Sequence, residues 1–245
     1  MVKVGIIQTR TYKTNKEGIN RISKILEILG KKKTKIVCLP EQWLKNNEID
    51  DFDSEFLEFK EIAKKYQMTI IPGAFYEKIK SRVTISSPVI GPKGDIIGKQ
   101  EKIHPFDYEK NIASPGNEVK IFNTACKFGV VICHDIVFSK VSEKLVKKGA
   151  QIIFSPSRIV RRGINPWETY VQARSLENRV PVLAANVKNR KYGGNSMIID
   201  LFENNKVMIP KIIKIKEEGF AIRKFDLKKF EKNRMIRFSE SKKFV

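Results

Sequence analysis

Residues 129–135 read GVVICHD. Val130, Val131 and Ile132 are consecutive, apolar and β-branched, the pattern of a buried strand, and that strand delivers a thiol, Cys133, to its C-terminal end. Open α/β sheets place their ligand sites at that end of their strands. Taken alone, the thiol is equally well an inert core group, since cysteine is among the most buried residue types. A nucleophilic thiol needs a base, a group that stabilises developing negative charge and a pocket that limits water, so the question is whether the chain supplies them.

Two other segments do. The apolar run KIVCLP at 35–40 ends at Glu41, repeating the placement of Cys133. A carboxylate beside buried strands has a raised pKa and serves as a base near neutral pH, whereas a surface or capping carboxylate does neither. The segment EKIHPFDYEK at 101–110 sets Lys102 and Glu109 among His104, Pro105, Phe106 and Tyr108. Residues 101–117 have little periodicity and read as a long ordered loop, a kind that is usually functional in compact domains.

Around these segments helix and strand alternate. Residues 2–8 and 36–39 are predicted strands, and between them Ile19, Ile22, Leu26 and Leu29 recur at helical spacing, with Gly30 closing the helix. A helix over 54–66 and a strand over 69–76 follow, then strands at 83–90 and 95–98 joined by a turn at 91–94. Strands are expected at 127–132, 151–154, 182–185, 196–200, 206–209 and 219–226, and helices at 142–148 and 166–178, with Pro166 in the first turn of the second. No repeat, low-complexity linker or composition break interrupts the chain, so one mixed α/β domain over 1–245 is expected.

The chain carries 48 Lys and Arg against 27 Asp and Glu, a net charge of +21. The cations are scattered over nearly every segment, which describes a solvated basic surface that holds nucleic acid only non-specifically. No apolar run approaches the ~20 residues of a membrane-spanning helix. Cys38, Cys126 and Cys133 are too few for a disulfide framework, and the opening MVKVGIIQ lacks the layout of a signal peptide, so the expected compartment is the cytoplasm.

Together, LPE at 39–41, K-x-H-x-F-x-x-E at 102–109 and G-x-x-I-C-x-D at 129–135 resemble the nitrilase superfamily of carbon-nitrogen hydrolases. Further matches follow in the family's order: SPG at 114–116, GA at 149–150, PW at 166–167, RSLEN at 174–178, AAN at 184–186, GGNSMIID at 193–200 and FDLKKFEKNR at 225–234. The resemblance implies a four-layer α-β-β-α sandwich and a catalytic set of Glu41 as base, Lys102 facing the oxyanion and Cys133 as nucleophile. It also implies that Glu109 orients Lys102, that the backbone N–H of His134 adds a second oxyanion donor, and that the protein forms a homodimer or higher homo-oligomer.

Asp135 is expected to hold the turn after the thiol, and the Arg174–Glu177 pair to be structural. His134 departs from the aromatic residue the family often has there, and as a neighbour of Cys133 on an extended strand it is expected to face away from the thiol. FSK at 138–140 replaces a common Phe-Pro-Glu. Where true nitrilases carry Trp and then Glu after the cysteine, this chain has His134 and Asp135, which favours an amide or carbamoyl substrate over a nitrile.

Substrate contacts are expected from Arg158, Tyr192 and Asn195, with Arg158, Arg161 or Arg162 clamping a substrate carboxylate. No cofactor is implied, and two histidines with scattered cysteines match no zinc spacing. The rival reading is a silent scaffold of the same fold that binds a polyanion.

Overall fold

The structure is a computed structural model that describes residues 1–241; residues 242–245, the end of the expected domain, lie outside the described residues. The first half of the chain runs β1 (Val2–Gln8), α1 (Asn15–Lys31), β2 (Ile36–Cys38), β3 (Glu48–Ile49), α2 (Phe52–Glu55), α3 (Leu57–Tyr66), β4 (Thr69–Ile71), β5 (Phe75–Ile79), β6 (Arg82–Ile90) and β7 (Ile96–Glu101). The second half runs β8 (Ile121–Asn123), β9 (Lys127–Val130), α4 (Ser139–Lys147), β10 (Ile152–Ser157), α5 (Ile164–Asn178), β11 (Val182–Asn186), β12 (Ser196–Asn204), β13 (Val207–Ile215), β14 (Gly219–Phe225) and α6 (Glu231–Ser241).

Two mixed sheets result. The first has the order β14-β1-β2-β4-β6-β5-β3 with β7 paired to β6, and the second the order β13-β12-β11-β10-β9-β8. Side-chain alternation along the strands decides how they stack. Val4, Ile6, Ile36 and Cys38 point into a core shared with Val130, Phe154, Ala184 and Met197 of the second sheet. Their neighbours Ile7, Val37 and Leu39 point the other way, onto Ile22, Leu26 and Leu29 of α1 and Phe59 and Ile62 of α3. Helices α4 and α5 cover the outer face of the second sheet, so the layers run α-β-β-α. Among the described residues no helix is long and apolar enough to cross a membrane.

Three departures from the sequence reading have identifiable causes. The helix expected over 54–66 is broken at Phe56, because Asp51 caps a separate first turn by accepting from the Asp53 and Ser54 N–H groups. The strand expected over 69–76 splits at Pro72 and Gly73. Gly73 adopts φ +119°, and a Cβ there would stand 2.1 Å from the Pro40 carbonyl oxygen, so the break lets the chain pass directly beneath the residue preceding Glu41. Gly30 does not close α1 but lies inside it, where a Cβ would meet the Tyr66 ring at 2.3 Å; the left-handed residue after the helix is Lys33.

Two short strands, β3 and β8, escape the sequence patterns because two or three residues are too few to show a period. The Gly30 contact has a measurable sign. On an exposed helix Gly→Ala stabilises by about 1 kcal/mol. Here Gly30→Ala is expected to destabilise by about 1–3 kcal/mol, through forced displacement of the Tyr66 ring, in urea unfolding followed by circular dichroism.

Candidate active site

Four segments converge at one end of the two sheets. After β2 the chain turns at Pro40, and the Glu41 N–H donates to the Ser157 carbonyl at 3.2 Å, which ties it to the second sheet. Lys102 follows β7; its N–H donates to the Ile85 carbonyl at 2.7 Å, and its own carbonyl accepts from Gly116 at 2.8 Å. Glu109 lies in a 3-10 turn at Asp107–Asn111, inside the expected long loop.

Cys133 opens a second 3-10 turn, Cys133–Val137, three residues beyond the end of β9. Its φ of +48° is left-handed, a strained conformation for a residue with a side chain. Four hydrogen bonds hold that turn. Asp135 accepts from the His104 N–H at 2.7 Å and the Ile103 N–H at 3.1 Å, while Arg174 donates from Nε to the Ile136 carbonyl at 2.9 Å and from Nη2 to the Val137 carbonyl at 2.8 Å. Arg174 also pairs with Glu177 at 2.6 Å, so its role is structural, as the sequence suggests.

The side chains meet in a tight cluster. Lys102 Nζ donates to Glu41 Oε1 at 2.8 Å and to Glu109 Oε2 at 2.7 Å, with Lys102 0% exposed, Glu41 2% and Glu109 3%. The same Glu109 oxygen accepts from the Phe106 N–H at 2.7 Å, which fixes its rotamer. Burial raises the Glu41 pKa, opposed by the nearby Lys102 charge and raised further by Glu109. Burial alone would lower Lys102, but Glu41, Cys133 and Glu109 outweigh it and hold the ammonium up. Burial and the Glu41 charge push the Cys133 thiol well up, and Glu41 shares a hydrogen bond with it. At rest, therefore, the sulfur keeps its proton, and the Glu41 carboxyl group lies beside it.

This cluster floors a cavity of about 300 Å³. Ile136, Val137, Ile159 and Trp167 supply apolar lining, and Arg158 and Tyr192 also line it, the guanidinium 4.5 Å from the ring centroid. Among the described residues no group of three or more His, Cys, Asp or Glu side chains is arranged to hold a metal ion.

Residues 3–210 match the sequence profile of the carbon-nitrogen hydrolases. The chain belongs to the carbon-nitrogen hydrolase family. It is 29% identical over 204 residues to the omega-amidase NIT2 of Xenopus tropicalis, a match covering 75% of this chain and 74% of that one. It is 26% identical over 232 residues to the deaminated glutathione amidase of Dictyostelium discoideum, covering 81% and 80% of the two chains. Among solved structures it resembles Saccharomyces cerevisiae Nit3, a member of branch 10 of the nitrilase superfamily, with TM-score 0.82 and 22% identity over 96% of this chain and 93% of that one. It also resembles a carbon-nitrogen hydrolase from Helicobacter pylori, with TM-score 0.83 and 23% identity over 96% and 92%.

Within this carbon-nitrogen hydrolase the remaining expected site residues divide. Arg158 and Tyr192 line the cavity and Asn195 does not; it takes a left-handed turn, φ +56°, leading into β12. Arg161 is committed elsewhere, donating to the Arg190 and Asn189 carbonyls, and Arg162 is exposed outside the cavity, so of the three arginines only Arg158 lines it. His134 does lie away from the cavity, but not because it extends a strand. The turn at Cys133 carries its ring between Phe106 and Phe138, with centroids at 5.0 and 5.3 Å, and sets Nδ1 3.3 Å from the His104 carbonyl. Phe138 of the divergent FSK segment stacks on His104 at 3.7 Å. Gln42 and Lys191 also line the cavity, and neither carries a sequence signal of its own.

The buried charges couple this site to stability. Glu41 has a folded pKa above its ordinary value of 4.5, so between those two values the native state binds the extra proton and stability falls as pH rises. Removing Lys102 deletes the charge that opposes this shift and widens the window upward. Lys102→Met is expected to cost about 3–5 kcal/mol at about pH 8 and markedly less at about pH 5 in urea melts. An equal loss at both pH values would mean that the carboxylates are not its cause.

Proposed function

We propose that this protein is a thiol-dependent amidase that hydrolyses small amides bearing a carboxylate at their far end, with Cys133 as nucleophile, Glu41 as general base and acid, and Lys102 as the cation facing the oxyanion. The observation that carries the reading is the Lys102 ammonium held between the Glu41 and Glu109 carboxylates at 2.8 and 2.7 Å beside the Cys133 thiol, at the base of a cavity.

The chemistry follows from the charges. Only a few per cent of an ordinary thiol with pKa about 8.5 is ionised at neutral pH, and burial makes this one less so. Glu41 takes the proton as sulfur attacks the amide carbon, so a free thiolate never has to be stored. Lys102 and the backbone N–H of His134 receive the charge that develops on the carbonyl oxygen, each such donor contributing about 3 kcal/mol. Protonated Glu41 then delivers its proton to the leaving amine, which departs as ammonia or an amine and leaves a thioester on Cys133. Water, deprotonated by Glu41, hydrolyses the thioester and restores the thiol. Glu109 orients Lys102 throughout and transfers no proton.

Arg158 supports the choice of substrate. It is the one arginine of its cluster on the cavity, and the omega-amidases among the relatives are the corresponding precedent. The reading also takes the protein to be cytoplasmic and self-associating. The half-exposed Ile236 and exposed Met235 of α6 support the second point, and light scattering at micromolar concentration tests it.

Ammonia release from a panel of small amides is expected to vanish in Cys133→Ala and to fall by about 10²–10⁴ in Glu41→Gln. The acid limb of kcat/KM is expected above the 4.5 of an ordinary carboxylate, because the base works only when deprotonated and its pKa is raised. Arg158→Met is expected to raise KM about tenfold or more for a carboxylate-bearing amide and to leave it unchanged for a neutral amide of the same length. Equal effects on both substrates would remove Arg158 from the recognition.

A further inference from the structure

Gln42 follows Glu41, is 2% exposed, and adopts a left-handed φ of +46° secured by donation of its N–H to the Ala74 carbonyl at 2.9 Å. A buried polar side chain on strained backbone beside the reacting groups calls for a reason. Its amide is bonded at both ends to ions of opposite sign. Oε1 accepts from Arg158 Nη1 at 2.6 Å, and Nε2 donates to Glu109 Oε1 at 3.4 Å. The Tyr76 hydroxyl also shares a hydrogen bond with it.

The chemistry of an amide suits this position as no other side chain would. A carboxylate at 42 would cancel the Arg158 charge and repel Glu109. An apolar residue would leave the guanidinium without an anchor and free to collapse onto Glu109, drawing that carboxylate off Lys102. A neutral amide turns its carbonyl to the cation and its N–H to the anion, and holds the two ions apart with both charges intact. Arg158 is thus stacked on Tyr192 and fixed through Nη1, while Nη2 has no partner among the described residues and remains available to a ligand.

We propose that Gln42 is the specificity-determining residue of this site: it presents Arg158 to the cavity as an anchored, uncancelled cation that selects reactants with an anionic far end, and it insulates that cation from Glu109. The inference rests on the reading of Cys133 as the reactive thiol and of Arg158 as the anion contact, and it does not require turnover.

The test is alkylation of Cys133 by iodoacetate and by iodoacetamide, two reagents of nearly the same shape that differ by one negative charge. In each, the sulfur displaces iodide, a carbon–sulfur bond replacing the carbon–iodine bond, and the thiol proton passes to Glu41. The rate is read from the mass of the peptide carrying Cys133. The ratio of the two rates cancels any change in thiol reactivity common to both, so a merely structural defect leaves it in place.

Gln42→Met and Gln42→Glu are each expected to lower the iodoacetate-to-iodoacetamide ratio by about tenfold, the first by releasing the cation and the second by cancelling it. In the Arg158→Met background Gln42→Met is expected to lower it no further. A ratio unchanged in the Gln42 variants, or a further drop in the double variant, would overturn the proposal. If Gln42→Met does not fold, Gln42→Glu decides alone by the same criterion. Failure of the amidase reading is separate: it would appear as absence of ammonia release from the unaltered protein, with the alkylation ratio still measurable.

Discussion

The burial of one ammonium group between two carboxylates is the constraint around which this end of the molecule is built. Lys102, Glu41 and Glu109 are all removed from water, and none is stable there without the others. Satisfying them takes a loop wrapped so that Phe106 N–H completes Glu109 and a strand end tied so that Glu41 meets Lys102. Burial, reinforced by the Glu41 charge, keeps the neighbouring Cys133 thiol protonated. A reactive sulfur is thereby stored in an unreactive form.

Much of this was legible in the sequence because its signals are local. Apolar runs ending in Glu41 and Cys133 mark strand ends, and the spacing from Lys102 to Glu109 marks a loop with chemistry in it. The strand at 2–8 likewise follows from an apolar run, and the helical stripe Ile22, Leu26 and Leu29 from period alone; the division of Val4, Ile6 and Ile7 between two cores does not. The four layers followed from resemblance rather than from any such period.

What could not be read has a common physical origin: it depends on what a residue meets across the fold. Gly30 has the look of a helix terminator until Tyr66, far along the chain, is found against it. The left-handed backbone of Cys133 belongs to a turn tied from two other segments, by the His104 N–H to Asp135 and by Arg174 to the Ile136 carbonyl, and no propensity of Cys or His announces it. Arg158 is separated from its partner Gln42 by 116 residues, so the sequence offered three equivalent arginines where the structure leaves one on the cavity. Asn195 was singled out by a neighbouring motif and turned away by the turn it makes.

Glu41, Lys102 and Glu109 are carried by the first sheet and its loops, whereas Cys133 and Arg158 are carried by the second. The chemistry therefore straddles the seam between the two sheets, which is filled mainly by non-directional apolar contacts. Such contacts tolerate sliding by a fraction of an ångström with little change in buried area; a hydrogen bond across the seam, such as that of 2.6 Å from Arg158 to Gln42, does not. Catalytic competence is in this sense a vernier on the alignment of the two halves: a displacement too small to open either sheet is enough to part groups that must meet across the seam.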